Sequence, residues 1–294
     1  MPPNEPRAPT LGLNLPYVED RMGDATPRWA DILEMATEAE AMGFDAVWIS
    51  DHVGFGDPDG EWSGAWDSWT LLSALGAATS RVRLGTYVSA VPYRNPALFA
   101  KMAETLDEIS GGRVILGLGA GWNEPEFRAY NFPFEHRFDR FEDALRIITA
   151  MLRTGRADHE GRYEHARGAL IRPRGPRPDG LPVMVGANGP RMLRLTAELA
   201  DQWNIGMPTS DEELVEGLRD IDAACAAVGR DPETLVRSSE LLVHTDKGLD
   251  PEAVAARLRR WAGLGVAHAQ IQVRPNSIAG VRAFRPVVDA LMAS

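Results

Sequence analysis

Short runs rich in β-branched residues alternate with helical stretches eight times along this chain, and that alternation limits the folds open to it. The runs are LGLNL (11–15), FDAVWI (44–49), VRLGTYV (82–88), RVILGL (113–118), PVMVGA (182–187), QWNIG (202–206), LVRSSELLVH (235–244) and HAQIQV (268–273). Most are apolar on both faces, as strands of a parallel sheet are when helices cover both sides. Helix signals fill the gaps. Trp29, Ile32, Leu33, Ala36 and Ala39 share one face of a segment closed by Gly43. A second helix covers roughly 66–79. Asn95 and Pro96 open a third as N-cap and first helical residue, and Gly111-Gly112 ends it. Phe138, Phe141, Leu145, Ile148 and Leu152 make the stripe of a fourth. Pro190, Ser210 with Glu213, Asp250-Pro251 and Ser277 mark the starts of four more. Eight βα units predict an α/β protein, a (β/α)8 barrel forming a single domain over 1–294. The rival, a doubly wound open sheet, shares the local pattern.

Three connections are long for such a fold: 53–65, 119–135 and 155–181. The last contains RPRGPRPDGLP and reads as an insertion packed over the barrel mouth. The charge balance, 31 basic against 42 acidic residues, gives −11 and argues against a general nucleic-acid or anionic-membrane binder. A single cysteine, Cys225, allows no intrachain disulfide and no cysteine zinc cage, which suits the cytoplasm. MPPNEPRAPT lacks the apolar core of a secretory signal, and no run reaches the ~20 apolar residues of a membrane span. There is no HExxH, Walker loop or GxSxG elbow, and Asp45, Asp51 and Asp67 with His52 make no recognisable metal set. Glu104, Asp107 and Glu108 read as a solvated helix face.

In a barrel, chemistry sits at the C-terminal strand ends. That rule selects Asn14, Pro16 and Tyr17 after the first strand, then Ser50, Asp51 and His52 after the second. It selects Tyr87, Val88, Ser89 and Ala90 on the third, and Gly119, Ala120, Gly121, Trp122 and Asn123 after the fourth. Gly186, Ala187, Asn188, Gly189 and Pro190 follow the fifth, and Asn204 to Met207 end the sixth. His244, Gln272 and Arg274 end the last two. Asp51-His52 is the acid/base candidate, because an imidazole titrates near neutrality. The 186–190 segment has glycines that admit a phosphate to backbone amides ahead of a helix N-terminus carrying Arg191 and Arg194. The same residues also describe an ordinary βα turn. The small residues of 117–121 would let a flat ring approach, or pack tightly at the rim. Trp48, Trp203, Trp29 and Trp261 read as core. Tyr17, Trp66, Trp122 and Met207 are the candidate walls of a partly apolar substrate pocket.

Four segments carry a family resemblance: GFDAVWISDH (43–52), the stretch 81–122 from RVRLGTYVSAVPYRNPA to GLGAGW, HRFDRFEDAL (136–145) and PVMVGANGPRMLRLTAELADQWN (182–204). Together they resemble the luciferase-like flavin-dependent barrels, and most closely the coenzyme F420-dependent oxidoreductases. The resemblance implies a barrel binding a deazaflavin at its mouth, with FMN as the alternative cofactor. It implies that Asp51 and His52 lie by the ring, and that Tyr87-Val88 forms a non-proline cis peptide behind it. Gly186 to Gly189 would hold the cofactor phosphate, with Ser89, Gly119, Asn123 and Arg191 as further cofactor contacts. The expected mechanism has His52, positioned by Asp51, move the proton that balances a hydride, with Trp122 beside it. Where F420-dependent sugar-phosphate dehydrogenases place a glutamate acid, this chain has Trp122, which argues against that reaction. The Trp form, with Glu126 four residues on, resembles a group of varied substrates. A polyanionic cofactor tail would call for a basic rim, for which Arg167, Arg172, Arg174, Arg177, Arg191 and Arg194 are candidates. The family implies a homodimer, a small-molecule substrate and a flavin or F420 reductase as partner. An FMN-dependent two-component monooxygenase and a non-catalytic flavin-binding barrel are the other readings.

Overall fold

The computed structural model of the protein describes residues 8–22, 25–56 and 60–293. Its elements begin with β1 (Thr10–Asn14), α1 (Trp29–Met42), β2 (Ala46–Asp51), the short strands β3 (Gly54–Gly56) and β4 (Trp62–Gly64), and α2 (Ser68–Ala78). Next come β5 (Arg83–Ala90), α3 (Pro96–Ser110), β6 (Val114–Gly119), α4 (Glu124–Ala129), α5 (Arg137–Thr154), β7 (Arg156–Glu160) and β8 (His165–Leu170). Then follow β9 (Val183–Gly186), α6 (Pro190–Leu199), β10 (Gln202–Asn204) and α7 (Asp211–Ala227). The last are β11 (Val236–His244), α8 (Pro251–Gly263), β12 (His268–Arg274), α9 (Ile278–Ala283) and α10 (Arg285–Met292). Eight strands pair in parallel as a closed barrel, in the order β1-β12-β11-β10-β9-β6-β5-β2. These are the eight runs of the sequence, and closure removes the open-sheet alternative. The cap signals act as expected. Asn95 accepts from the amides of Ala97 and Leu98, and Ser210 from that of Glu213. Gly43 and Gly111 take the left-handed conformation that ends α1 and α3.

One apolar core fills the space between barrel and helices, with Leu13, Ile32, Val47, Phe99, Leu116 and Trp261 fully shielded. A second lies inside the barrel, where Ala46, Trp48, Ile115 and Met184 meet. The Trp48 indole runs between Gly12 and Gly85, where a Cβ on either would come within 2.1 Å of it. Its Nε1 donates to His268 Nε2 at 3.0 Å, and His268 Nδ1 lies 2.8 Å from Thr10 Oγ1. An indole N–H can only donate, so Nε2 accepts and Nδ1 carries the hydrogen. Protonation would set N–H against N–H. Burial, then the nearby Arg83, pushes the His268 pKa down to about 3. The unfolded chain therefore binds a proton below about pH 6.5 that the folded chain refuses. Stability is fully present above that pH and is lost as pH falls toward 3, by about 2 kcal/mol between pH 7 and 5. Urea unfolding at both pH values should show that loss in the wild type and not in His268→Gln.

Several expectations are corrected. The 155–181 connection does not cover the mouth. It leaves the C-terminal end of α5, so it starts at the opposite rim. The β7–β8 hairpin runs back along α5, where Asp143 meets His159 at 3.2 Å and Arg140 meets Glu164 at 3.1 Å. The proline-rich part then crosses the N-terminal rim. Arg174 binds Glu104 at 2.9 Å, and Arg177 binds Asp107 and the carbonyl of Val114, the first residue of β6. Glu104 and Asp107 are thus buried partners, not a solvated face. The six-arginine rim fails with them. Besides those two, Arg167 pairs with Glu160, Arg191 with Asp139 and Glu142, and Arg194 with Glu198, while Arg172 belongs to the same N-terminal crossing. The final helix is two helices parted at Phe284, because Pro286 has no amide to continue the ladder. Trp29 is half-exposed, not core, because it opens α1 at its solvent side.

Candidate active site

The site is built on an irregularity in β5. Pairing of β5 with β6 is regular at Gly85, breaks, and resumes at Ser89. Within the break lies a cis peptide between Tyr87 and Val88. The Thr86 hydroxyl fills the gap in the ladder, donating to the Gly117 carbonyl at 2.7 Å and accepting from its amide at 3.1 Å. A side chain on Gly117 would meet the Thr86 carbonyl at 1.9 Å, so only glycine fits there. Val88 stands in a cradle between Gly119 and Gly186, where added Cβ atoms would approach it to 2.7 and 3.1 Å. These glycines therefore admit a protein side chain, which in turn presents its apolar face to the barrel mouth.

Two cavities of about 290 and 250 Å³ open there side by side, sharing His52, Tyr87 and Trp122. The first is bounded by Val88, Gly119, Asp51, Tyr93, Gly186 to Asn188 and Asn204 to Gly206. The second reaches toward β1, β11 and β12 past Tyr17, Phe55, Glu240 and Arg274. Trp203 Nε1 donates to the Ala187 carbonyl at 2.9 Å and so fixes the turn after β9.

His52 stands where the cavities meet. Its Nδ1 lies 2.7 Å from Glu126 Oε1, while Oε2 accepts from the Val53 amide at 3.0 Å. Burial alone would raise the Glu126 pKa, but hydrogen bonds from His52, Tyr93 and the Val53 amide outweigh it and hold the group below the usual carboxylate range. A carboxylate can only accept, so His52 Nδ1 carries the hydrogen and Nε2 is left for chemistry. Burial and Glu126 push the Tyr93 hydroxyl up, keeping it a neutral donor. The Phe55 and Trp122 rings lie 4.4 and 5.4 Å from the His52 ring, centroid to centroid.

Asp51 does not position His52. It is buried, binds both Arg94 nitrogens at 2.6 and 3.1 Å, and accepts from Ser68 at 2.7 Å. Of the other expected residues, Tyr87, Val88, Gly119, Gly186, Ala187 and Asn188 line the first cavity and Tyr17 the second. Gly189, at φ +81°, begins α6 with open space around its Cα. Five candidates lie elsewhere. Ser89 is buried and accepts from Trp69 Nε1 at 3.0 Å. Asn123 is buried and donates to the Gly54 carbonyl, tying down β3. Arg191 is held outside by Asp139 and Glu142. Trp66 turns away to the Pro27 carbonyl, and Met207 is exposed beyond Gly206. Sequence reasoning did not select Glu126, Tyr93, Arg94 or Glu240 as site residues. For Glu126 the signal was its place four residues after Trp122 in the sequence.

A parallel (β/α)8 barrel with an acid/base pair at its C-terminal mouth defines an enzyme-like small-molecule site. The luciferase-like monooxygenase pattern matches residues 10–292, and the chain belongs to that family. It is 31% identical over 222 residues to the 5,10-methylenetetrahydromethanopterin reductase of Archaeoglobus fulgidus, covering 75% of this chain and 62% of that protein. It is 32% identical over 250 residues to the F420-dependent glucose-6-phosphate dehydrogenase of Kineococcus radiotolerans, covering 81% and 70%. A solved F420-dependent secondary alcohol dehydrogenase in complex with an F420-acetone adduct shares the fold at a TM-score of 0.77. That match has 20% identity and covers 97% and 99% of the two chains.

Proposed function

We propose that this protein is an F420-dependent oxidoreductase, moving a hydride between the deazaflavin C5 and a small organic substrate. The observation that carries the reading is His52, held at the junction of two cavities with one ring nitrogen committed to Glu126 and the other free. The F420-dependent glucose-6-phosphate dehydrogenase among its relatives supports the choice of cofactor. The residues fit such a group. Val88, seated between Gly119 and Gly186, offers a smooth apolar floor for a flat ring. Gly189, with open space where a Cβ would stand, leaves the backbone at the start of α6 accessible, which suits a phosphate. When bound, the deazaflavin supplies the carbon that gives or takes the hydride. The protein's own part is the proton. His52 Nε2 holds it or takes it up, while Glu126 keeps the ring oriented and stabilises its charged form.

Equilibrium binding of oxidised F420 and of FMN to the apo-protein tests the reading. Affinity for F420 on the order of micromolar, with FMN at least about tenfold weaker, is expected. The opposite preference would make the protein an FMN-dependent monooxygenase fed by a reductase. Bound F420 without turnover of any acceptor would leave a flavin-binding barrel. We further place the protein in the cytoplasm as a homodimer whose cofactor a separate reductase regenerates. Leu98 and Ile109, exposed on α3, support a subunit contact, and light scattering of the purified protein checks it.

A further inference from the structure

The second cavity holds an arrangement that hydride and proton transfer do not use. Arg21 and Arg274 both line it, and among the described residues neither makes an ion pair. Other buried and half-buried arginines of this acidic chain are matched, either by a carboxylate or, as at Arg113 and Arg230, by backbone carbonyls. Arg94, Arg140, Arg174, Arg177 and Arg237 each have a carboxylate within reach. Arg21 is exposed at the entrance, its guanidinium 5.9 Å from the Phe55 ring centroid. Arg274 is half-buried, and burial and then Arg21 lower its pKa against the opposing pull of Glu240. Two like charges brought toward one space, with no ion-paired carboxylate among the described residues, are stabilised by an anion that comes with the ligand.

The nearby carboxyl of Glu240 offsets Arg274 only in part, without an ion pair. Glu240 also faces the cavity, but it is committed. Its Oε1 accepts from Asn14 Nδ2 at 2.7 Å, and its Oε2 from the Tyr87 hydroxyl at 2.9 Å. Burial raises its pKa above the usual range. A second, independent signal lies beside it. Asn14 Oδ1 and Asn276 Oδ1 are buried at the cavity wall, and among the described residues neither has a hydrogen-bond partner. A buried acceptor left unmade is costly, so each of these two, at a cavity wall, gains from a donor that a ligand brings in. Arginines without an acceptor and amide oxygens without a donor, in one cavity that His52 also lines, describe a ligand with an anionic end and hydroxyl or N–H groups.

We infer that the second cavity is the substrate site and that it takes a small hydroxylated organic anion, held by Arg21 and Arg274 with its hydroxyl groups on Asn14 and Asn276. The inference rests on the oxidoreductase reading, and it narrows the substrate class of that site. The anion can be a carboxylate or a phosphate ester, since a guanidinium binds either through paired N–H groups. Its reactive carbon then lies toward His52, which the two cavities share.

The test uses the F420-loaded protein and three probes: 4-hydroxybutyrate, glycerol 3-phosphate and the uncharged 1,4-butanediol. Calorimetric titration should show at least one anion binding tenfold or more tightly than the diol. The better anion tells carboxylate from phosphate. Arg274→Met and the surface variant Arg21→Ala should each weaken that anion tenfold or more, with F420 affinity changed less than twofold. Arg274→Lys, which keeps the charge but not the fork, should recover part of the loss. Anions and diol binding alike, or no probe binding, would overturn the assignment, as would wild-type affinity in Arg21→Ala. If the variants weaken F420 and not the probes, the arginines serve the cofactor tail and the inference fails. Failure of the wild type to bind F420 is a different result. It removes the cofactor reading, and probe titration of the apo-protein still decides the role of the arginines.

Discussion

Replacing His52 by alanine should lower turnover by roughly 100-fold or more while F420 affinity changes less than about threefold. The ring touches both cavities, but Val88, Gly119 and the turn after β9 form most of the cofactor-side wall without it. Steady-state kinetics with any accepted substrate, beside fluorescence titration with F420, checks both halves. Wild-type turnover would remove His52 from the proton path. Glu126 is a positioning residue, and its replacement should behave differently. Glu126→Gln keeps an oxygen that can accept from Nδ1–H but loses the charge that stabilises the imidazolium. A loss of about tenfold is expected, concentrated in kcat. The stability profile separates this from a general structural effect. The Glu126 pKa is lower in the folded chain than unfolded, so its contribution is present above about pH 4.5 and lost as pH falls through the folded value. The glutamine variant should lose that part of its acid sensitivity.

The partner of His52 shows where sequence reasoning succeeds and where it stops. The eight strands were legible because burial on both faces gives continuous apolar runs, and because Asn95-Pro96, Gly43 and Gly111 punctuate the helices between them. The mouth of the barrel followed from strand direction. Adjacency misled at Asp51-His52. Consecutive residues at a strand end leave on opposite sides. Asp51 turns to Ser68 at the start of α2 and to Arg94, and His52 turns to the mouth, where α4 brings Glu126 from 74 residues away. Composition gives no hint of such a meeting. The 155–181 connection is the opposite case. It follows a helix, so it must start at the N-terminal rim, and although its hairpin climbs along α5 as far as His136, none of it lines either cavity. The loop tryptophans were unreadable for a third reason. Whether Trp66 or Trp122 faces the cavity depends on turn conformation, and only Trp122 does.

Arg94→Met should be among the most destabilising single changes at this end of the barrel. Asp51 is 3% exposed, and Arg94 is its only cationic partner among the described residues. Removing the guanidinium leaves a carboxylate in an apolar setting with one hydroxyl, that of Ser68, to solvate it. Breaking a buried pair in this way costs about 3–5 kcal/mol, which for a chain of this size lowers the melting temperature by roughly 6–10 °C. Lysine should not restore it, because the two-pronged contact at 2.6 and 3.1 Å needs a planar fork. The double variant Asp51→Asn with Arg94→Met removes both charges and should recover more than half the loss. Calorimetric melts of the three variants test this, and Arg94→Met melting within about 2 °C of wild type would refute it. The pair also separates structure from chemistry at neighbouring positions. Asp51→Asn should cost stability and leave turnover of the folded fraction closer to wild type than Glu126→Gln does, because His52 takes its orientation from α4 and not from its neighbour in the chain.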